Sequence, residues 1–168
     1  MIRQFLVIAA MSAALGAGSA SAQATPYTPG SNPAHPYTKK HLYDEEVDPT
    51  QLIAAGLKQA KKEHKRVILD FGGDWCGDCQ VLDIYFHDPA NLPTLEKNFV
   101  VVHIYIGHMD KNLDLAEKYG VPVKSGVPAL AVLDRNGKVL YSQSTGQFRD
   151  MRHMDVQSVT QFLNQWKS

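Results

Sequence analysis

The sequence has few cysteines, no excess of either charge and no apolar run long enough to cross a membrane. Its 17 basic and 17 acidic residues cancel to a formal net charge of zero and form no basic block. Nucleic-acid binding and electrostatic attachment to membranes therefore have no support. The longest apolar run, from Phe5 to about Ala17, is shorter than the ~20 residues that a spanning helix needs. We therefore expect a soluble protein.

The same apolar run predicts a leader over residues 1–22. It follows Arg3 and is succeeded by small residues that end in Ala20-Ser21-Ala22, the pattern of a cleavable secretory signal. We expect cleavage near Ala22 and export to the periplasm or the extracellular space, with no direct membrane insertion afterwards. Neither cysteine lies near this point, which excludes lipid attachment through a leading cysteine.

Residues 23–45 are predicted to be a Pro-rich arm or linker. Four prolines and few aliphatic residues between Gln23 and Tyr43 favour a solvated tail over a core element. We place the folded domain at residues 46–168 and find no internal repeat and no second domain in it.

Alternating helix and strand patterns from Asp48 onward predict one α/β domain. Asp48 is expected to cap the first helix and Asn112 a later one. The two early strands should be parallel because helices join them, and Asn136-Gly137 should form the two-residue turn of a late hairpin in the same sheet. Helices then cover both faces of a mixed central sheet. The predicted strands are Arg66–Phe71, Phe99–Ile106, "PALAVLD" and "KVLYSQ".

The two cysteines lie in "FGGDWCGDCQVLD", Phe71 to Asp83, directly after a predicted strand. A structural disulfide, half of a metal site, a redox-active dithiol and coincidence are the four alternatives. A bridge that closes so small a loop removes little entropy from the unfolded chain. A metal site would need His103 and His108, and 23 residues separate Cys79 from His103, longer than the usual finger spacing. An isolated C-x-x-C after a strand favours redox function.

The spacing of the cysteines suits two different chemical roles. If a helix starts at Cys76, its sulfur lies at the positive end of the helix dipole, which favours the thiolate that attacks disulfides. Cys79 follows almost one turn later, where it can attack a mixed disulfide formed at Cys76. Gly77 adds no bulk, so a partner chain can approach. Asp74 and Asp78 place negative charge beside Cys76, which opposes thiolate formation and predicts a reductant or electron carrier rather than an oxidase.

At the level of whole motifs, the run "VILDFGGDWCGDC" resembles the active-site segment of the thioredoxin family. The later run "KYGVPVKSGVPALAVLDRNGKVL" resembles the family's helix end, proline loop and final hairpin. The resemblance covers about Asp48 to Ser168 and implies a thioredoxin-like three-layer sandwich. "DWCGDC" and "YFHDP" look more like exported or membrane-linked members, such as the C-terminal domain of the transmembrane thiol reductase. The family usually has one more strand before its first helix, where this chain has the Pro-rich arm.

The resemblance also implies roles for individual residues. Cys76 matches the attacking cysteine, Cys79 the resolving one, and Trp75 the aromatic residue that shields the site. Asp70 matches a buried aspartate beneath the resolving thiol, where a carboxylate in a low-dielectric environment takes the proton from Cys79. The residues implied to line the substrate groove, including the family's cis-proline at position 128, are Trp75, Gly77, Asp78, Val127, Pro128 and Gly146.

The activity implied is that of a thiol–disulfide oxidoreductase that reduces, or relays electrons to, protein disulfides without a cofactor. A membrane-embedded thiol reductase is implied as the electron donor. The alternative is a non-catalytic copper-binding or chaperone module that uses the CxxC pair. Within the segment Gly146–Asp155, Met151, His153 and Met154 supply thioether and imidazole groups that suit a soft metal such as copper.

Overall fold

The computed structural model describes residues 38–168. The predicted leader and the arm before Thr38 lie outside these residues. In the described part no helix is both long and apolar enough to cross a membrane. Two short 3₁₀ helices occupy Val123–Ser125 and Met151–His153. The main elements follow in the order α1 (Pro49–Glu63), β1 (Arg66–Gly72), α2 (Gly77–Phe86), α3 (Leu92–Asn98), β2 (Phe99–Tyr105), α4 (Leu113–Lys118), β3 (Ala129–Leu133), β4 (Val139–Ser142) and α5 (Val156–Trp166).

The four described strands form one mixed sheet in the order β2-β1-β3-β4. β1 and β2 are parallel, whereas β3 is antiparallel to both β1 and β4, so the predicted parallel pair and the late hairpin are confirmed. The register places Asp70 of β1 opposite His103 on β2 and opposite Leu130 on β3. This alignment brings a histidine beside a buried carboxylate.

β1 is buried on both of its faces, because helices cover both faces of the sheet. Val67, Leu69 and Phe71 belong to a core shared with α1 and α4, whereas Ile68 belongs to a second core shared with α2, α3 and α5. Successive strand residues point to opposite faces, so one apolar run supplies both cores. The molecule therefore has the three layers predicted from the sequence.

The first helix begins and packs as its sequence predicts. Asp48 accepts a hydrogen bond from the backbone N–H of Thr50 at 2.8 Å, and Pro49 occupies the first turn, where a missing N–H has no cost. Gly56 faces the sheet, where a Cβ would approach Val102 to 2.5 Å. The glycine therefore allows α1 to lie close against β2.

Two predicted details of the turns are wrong. Asn112 precedes α4 with a left-handed backbone (φ 54°) and makes no capping bond, because its side-chain amide donates to the carbonyl of Tyr105 instead. The β3–β4 connection spans residues 134–138 rather than a two-residue turn. Asp134 organises it by accepting from the backbone N–H groups of Asn136 and Lys138, so the turn depends on a residue before the Asn-Gly pair.

The last part of the predicted arm belongs to the domain, which corrects the boundary at residue 46. Tyr43 is fully buried in the core on the α1 side of the sheet. Leu42 and Tyr43 donate their backbone N–H groups to Asp74, and Lys40 bonds to Gln80 and Asp83 on α2. Residues 40–43, the strap, therefore lie across the segment that carries the cysteines. Sequence composition missed this because the strap's polar side chains are satisfied by partners far along the chain.

Candidate active site

The two cysteines form a disulfide at the start of α2. Cys76 is the N-cap residue, and its sulfur accepts from the backbone N–H of Cys79 at 3.1 Å. This position exposes the sulfur of Cys76 to the positive end of the helix, which stabilises a thiolate after reduction. Cys76 keeps 5% of its surface exposed and Cys79 keeps none. The order of access therefore fits an attacking Cys76 and a resolving Cys79.

Asp70 lies 1% exposed in the middle of β1, as the resemblance implies. Its Oδ2 accepts from the Tyr43 hydroxyl at 2.8 Å and lies 3.0 Å from His103 Nδ1. Its Oδ1 is buried and has no hydrogen-bond partner among residues 38–168. A buried carboxylate oxygen without a donor is a costly arrangement that is retained at functional sites. Asp70 therefore keeps one carboxylate oxygen without a hydrogen-bond donor among residues 38–168.

Tyr43, at the end of the strap, lies near Cys79. A Cβ placed on Gly72 would lie 2.6 Å from the Tyr43 hydroxyl and 2.7 Å from the Cys79 sulfur. The two atoms therefore share the space that a larger residue at position 72 would fill. Burial, and then the charge of Asp70, raise the pKa of Tyr43 well above its usual value, so the phenol stays protonated. No local pattern in the sequence predicts this proximity.

Trp75 directly precedes Cys76 in the chain and is 38% exposed. Its indole N–H donates to the carbonyl of Gly107 at 2.7 Å, and its ring stacks on His108 with centroids 5.1 Å apart. Gly73 permits this arrangement, because a Cβ there would clash with the indole. Trp75 therefore presents a fixed aromatic face to solvent beside the disulfide, where a polypeptide can pack.

The loop before β3 faces the disulfide, as the resemblance implies. The Cys76 sulfur lies 3.7 Å from the carbonyl oxygen of Val127, and the Val127–Pro128 peptide bond is cis. Gly126 has a positive φ of 123°, and a Cβ there would meet Arg149 at 2.6 Å. Gly146 lies on the other side of this loop, where a Cβ would approach the Ser125 carbonyl to 2.5 Å. Gly146 thus packs against the loop that carries Val127.

Asp74 and Asp78 do not leave unpaired charge beside Cys76, which corrects the electrostatic premise drawn from the sequence. Asp74 accepts two backbone N–H bonds from the strap and pairs with His41 at 2.6 Å. Burial raises the pKa of Asp74, but those backbone bonds and His41 outweigh it and leave the pKa below its usual value. Asp74 is therefore an anchor for the strap.

Asp78 forms a salt bridge with Arg152, which lies in the segment between β4 and α5. Its two carboxylate oxygens accept from the backbone N–H, Nε and Nη2 of Arg152, at 3.0, 3.2 and 3.0 Å. The Asp78 side chain is 10% exposed and that of Arg152 is 60% exposed. A residue predicted to contact substrate is therefore turned towards its own protein, while Gly77 next to it stays partly exposed.

The side chains suggested for copper do not form a site. Met151 is fully buried in the core on the α2 side, and Met154 packs against that core. His153 points to solvent and pairs with Asp150. Across residues 38–168 no three His, Cys, Asp or Glu side chains come together as metal ligands. The copper alternative therefore has no geometric support in the described part of the chain.

Three residues of the site were missed by sequence reasoning: Tyr43, His103 as a partner of Asp70, and Arg152. The only available signal was for His103, since a histidine in an otherwise apolar strand needs a polar partner. Tyr43 and Arg152 meet the active-site segment from 27 and 74 residues away. Contacts at such separations are set by the fold and not by any local pattern.

Comparisons with known proteins agree with this geometry. A family model described as Thioredoxin-like matches residues 48–135. A solved disulphide isomerase from Xylella fastidiosa Temecula1 is 34% identical, with a TM-score of 0.71, and the match covers 76% of this chain and 98% of that one. Protein disulfide isomerase-like 2-2 from Oryza sativa subsp. japonica is 34% identical over 76 residues, which are 45% of this chain and 19% of that protein.

Thioredoxin H-type from Fagopyrum esculentum is 29% identical over 83 residues, which are 49% of this chain and 64% of that protein. The chain thus spans less than two thirds of the length of these curated relatives. The matched family model nevertheless contains the strand, the dithiol, the proline loop and β3. The predicted fold is confirmed, and this chain belongs to the thioredoxin-like family.

Proposed function

We propose that this protein is a thiol–disulfide oxidoreductase that acts on disulfides of other proteins. The observation that carries the proposal is the Cys76–Cys79 disulfide at the N-terminus of α2, with the more exposed sulfur in the capping position. Membership of the thioredoxin-like family and the likeness to a solved disulphide isomerase support it.

The reaction follows from the two cysteines. The Cys76 thiolate attacks a sulfur of the substrate disulfide, so a Cys76–substrate bond forms and one substrate sulfur leaves as a thiolate. Cys79 then attacks Cys76, the second substrate sulfur leaves, and the Cys76–Cys79 disulfide forms. Two electrons pass from the dithiol to the substrate. Trp75 and the backbone of Val127 are the surfaces against which the substrate chain packs during this exchange.

The place of action in this proposal is outside the cytosol. The leader pattern over residues 1–22 supports export to the periplasm or the extracellular space. No soluble reductant pool can be assumed there, so a membrane-embedded thiol reductase is the proposed electron donor. A spheroplast fractionation of the full chain tests export, and finding the protein in the cytosolic fraction would reject it.

Replacement of Cys79 by alanine tests the activity. The variant should accumulate mixed disulfides with substrate proteins, because Cys76 still attacks but nothing resolves the product. Non-reducing gels and mass spectrometry of the trapped species provide the measurement. Cys76→Ala is the matched control and should trap nothing. Equal trapping by both variants, or by neither, together with no acceleration of insulin reduction by the wild type, contradicts the proposal.

The direction of electron flow in this proposal is towards substrate. Its support is the resemblance to exported reductant domains, since the charges of Asp74 and Asp78 are paired and no longer argue for it. Equilibration with glutathione measures the potential directly. A reductant should lie near or below about −200 mV, whereas a value near about −120 mV, that of a strong oxidant, would reverse the assignment.

A further inference from the structure

We propose that Tyr43 and His103 form with Asp70 a proton path that carries the Cys79 proton to solvent during resolution of the mixed disulfide. This inference rests on the proposed oxidoreductase activity and adds two residues to it. Tyr43 comes from the strap and His103 from β2. Both make contact with a carboxylate that the active-site segment itself supplies.

The path begins at the space above Gly72. The Tyr43 hydroxyl and the Cys79 sulfur both lie within 2.7 Å of the point where a Cβ on Gly72 would be. The hydroxyl donates to Asp70 Oδ2 at 2.8 Å. A hydroxyl that is hydrogen-bonded to a carboxylate can take a proton from a neighbouring thiol while passing its own proton on. The Tyr43 hydroxyl therefore borders the same space as the resolving sulfur and is hydrogen-bonded to Asp70.

The path ends at His103, which provides the link to solvent. His103 Nδ1 lies 3.0 Å from Asp70 Oδ2, and 22% of the His103 side chain is exposed. The Tyr43 and His103 rings meet edge to face with centroids 5.0 Å apart, which fixes both rings relative to the carboxylate. Asp70 itself is buried, so a proton that reaches it needs a carrier such as the imidazole to leave.

The charges around His103 set the pH at which it can accept a proton. Burial lowers the pKa of His103, but the hydrogen bond and charge of Asp70, with smaller effects from Asp83 and Asp74, leave it above its ordinary value of 6.5. Asp44 lines the same surface groove as His103, and the Tyr43 ring packs edge to face against the His103 ring. The residues of α1 that line this groove carry no titratable group. The groups whose charges raise the pKa of His103 are therefore Asp70, Asp83 and Asp74, and Lys40 pairs with Asp83.

The proposed step balances as follows. The Cys79 proton moves to the Tyr43 oxygen as the Tyr43 proton moves to Asp70, and the electron pair left on the Cys79 sulfur forms the bond to Cys76. The bond between Cys76 and the substrate breaks, its electron pair leaves with the substrate sulfur, and that thiolate takes a proton from solvent. Asp70 passes its proton to Nδ1 of neutral His103, which releases the proton on its other ring nitrogen to solvent.

Separate measurement of attack and resolution tests the path, with glutathione disulfide as the probe. In a Cys79→Ser background, glutathionylation of Cys76 reports attack alone. In the two-cysteine protein, acid quenching and mass spectrometry follow the decay of the glutathionylated species, which reports resolution. Tyr43→Phe should slow resolution about tenfold or more and leave attack within about twofold, because general acid–base catalysis is typically worth 10²–10⁴-fold.

The pH profile tests His103 in the same experiment. Wild-type resolution should rise through an inflection above pH 6.5 that is absent from the attack profile, and His103→Gln should lose that inflection. Tyr141→Phe and His64→Asn are matched controls, since the Tyr141 hydroxyl bonds Gln147 and His64 contacts Arg135, both away from the dithiol. Both controls should keep the wild-type profile.

Three outcomes overturn the path: resolution by Tyr43→Phe within twofold of wild type, an unchanged inflection in His103→Gln, or equal slowing of attack and resolution. A failure of Cys76 to be glutathionylated at all would instead reject the oxidoreductase activity. If either variant fails to fold, an NMR titration of the reduced wild-type protein tests the path instead. In its NMR titration the Cβ of Cys79 and the His103 ring must report a common inflection, and independent titration rejects the path.

Discussion

Asp70 and Asp78 are both buried carboxylates in the segment that carries the disulfide, but their oxygens have different hydrogen-bond partners. Both oxygens of Asp78 accept from Arg152, through its backbone and its guanidinium group. One oxygen of Asp70 accepts a hydrogen bond from the Tyr43 hydroxyl and lies within hydrogen-bond distance of His103 Nδ1. Its other oxygen has no hydrogen-bond partner in the described part of the chain. Asp78 therefore has both oxygens engaged by one cation, whereas Asp70 keeps one oxygen without a donor among residues 38–168.

The partners of Asp70 and Asp78 come from two different segments, the strap and the stretch between β4 and α5. In the strap, Tyr43 donates its hydroxyl to Asp70 and borders the space at Gly72 that the Cys79 sulfur also borders. Arg152 forms an ion pair with Asp78, one of the two residues between the cysteines. Both segments join the site from outside the matched family model, which covers residues 48–135.

The largest effect should come from a comparison of Asp70→Asn with Asp78→Asn. Asp70→Asn removes the proton acceptor, so resolution of the glutathionylated protein should slow by about 10²-fold, with little loss of stability. Asp78→Asn should instead lower the free energy of unfolding by about 1–2 kcal/mol, through weakened charged hydrogen bonds, and leave resolution within about threefold. Quenched-flow kinetics and urea unfolding of both variants measure the contrast. Equal kinetic losses in the two variants would remove the distinction between them.

A smaller effect is expected when Arg152 is replaced by methionine. The carboxylate of Asp78 then loses its positive partner and adds negative charge near Cys76, which disfavours the thiolate. Reaction of the reduced protein with iodoacetamide at pH 6.5 should slow by roughly two- to fivefold, since an exposed partner screens only part of the charge. Arg135→Met, at an exposed contact with His64, is the control. Faster alkylation in Arg152→Met would show that the pair restrains Cys76 in another way.

The smallest effect concerns pH and stability. The pKa of His103 is raised in the folded protein, because the bond and charge of Asp70 outweigh burial. The stabilisation from its protonated form is therefore complete below about pH 6.5 and is lost as the pH rises through the folded value. Urea midpoints of the wild type and His103→Gln should differ most near pH 5.5 and converge towards pH 9. A difference that grows with pH would mean that His103 is not charged in the fold at low pH.

Local patterns were sufficient for most of the secondary structure. The run Arg66–Phe71 is apolar enough to be buried on both faces, and Asp48-Pro49 starts a helix by a bond within its own first turn. The hairpin turn was predicted less well, because Asp134 outside the Asn-Gly pair determines its length. Asn112 failed as a cap because a distant carbonyl, that of Tyr105, competes for its side chain.

The candidate site divides in the same way. Cys76, Cys79, Asp70 and the Val127–Pro128 loop were predicted by the resemblance of two motifs. The structure places the disulfide beside that loop and buries Asp70. The arm over residues 23–45, which contains the strap, was predicted to be solvated because it is rich in proline and poor in aliphatic residues, yet Tyr43 is fully buried. The charges of Asp74 and Asp78 were expected to act on Cys76, yet both meet cations or N–H donors instead.

The sequence by itself determined the mixed α/β sheet and the position of the dithiol at a helix start. It also set the expected roles of the two cysteines, attack by the first and resolution by the second. These follow from periodicity, caps and spacing within short segments, which the backbone must obey wherever it lies. Only the tertiary structure decided which groups surround Asp70 and Asp78. Tyr43, His103 and Arg152 reach these carboxylates across 27, 33 and 74 positions, and burial of a charge requires whichever partner the folded chain brings near it.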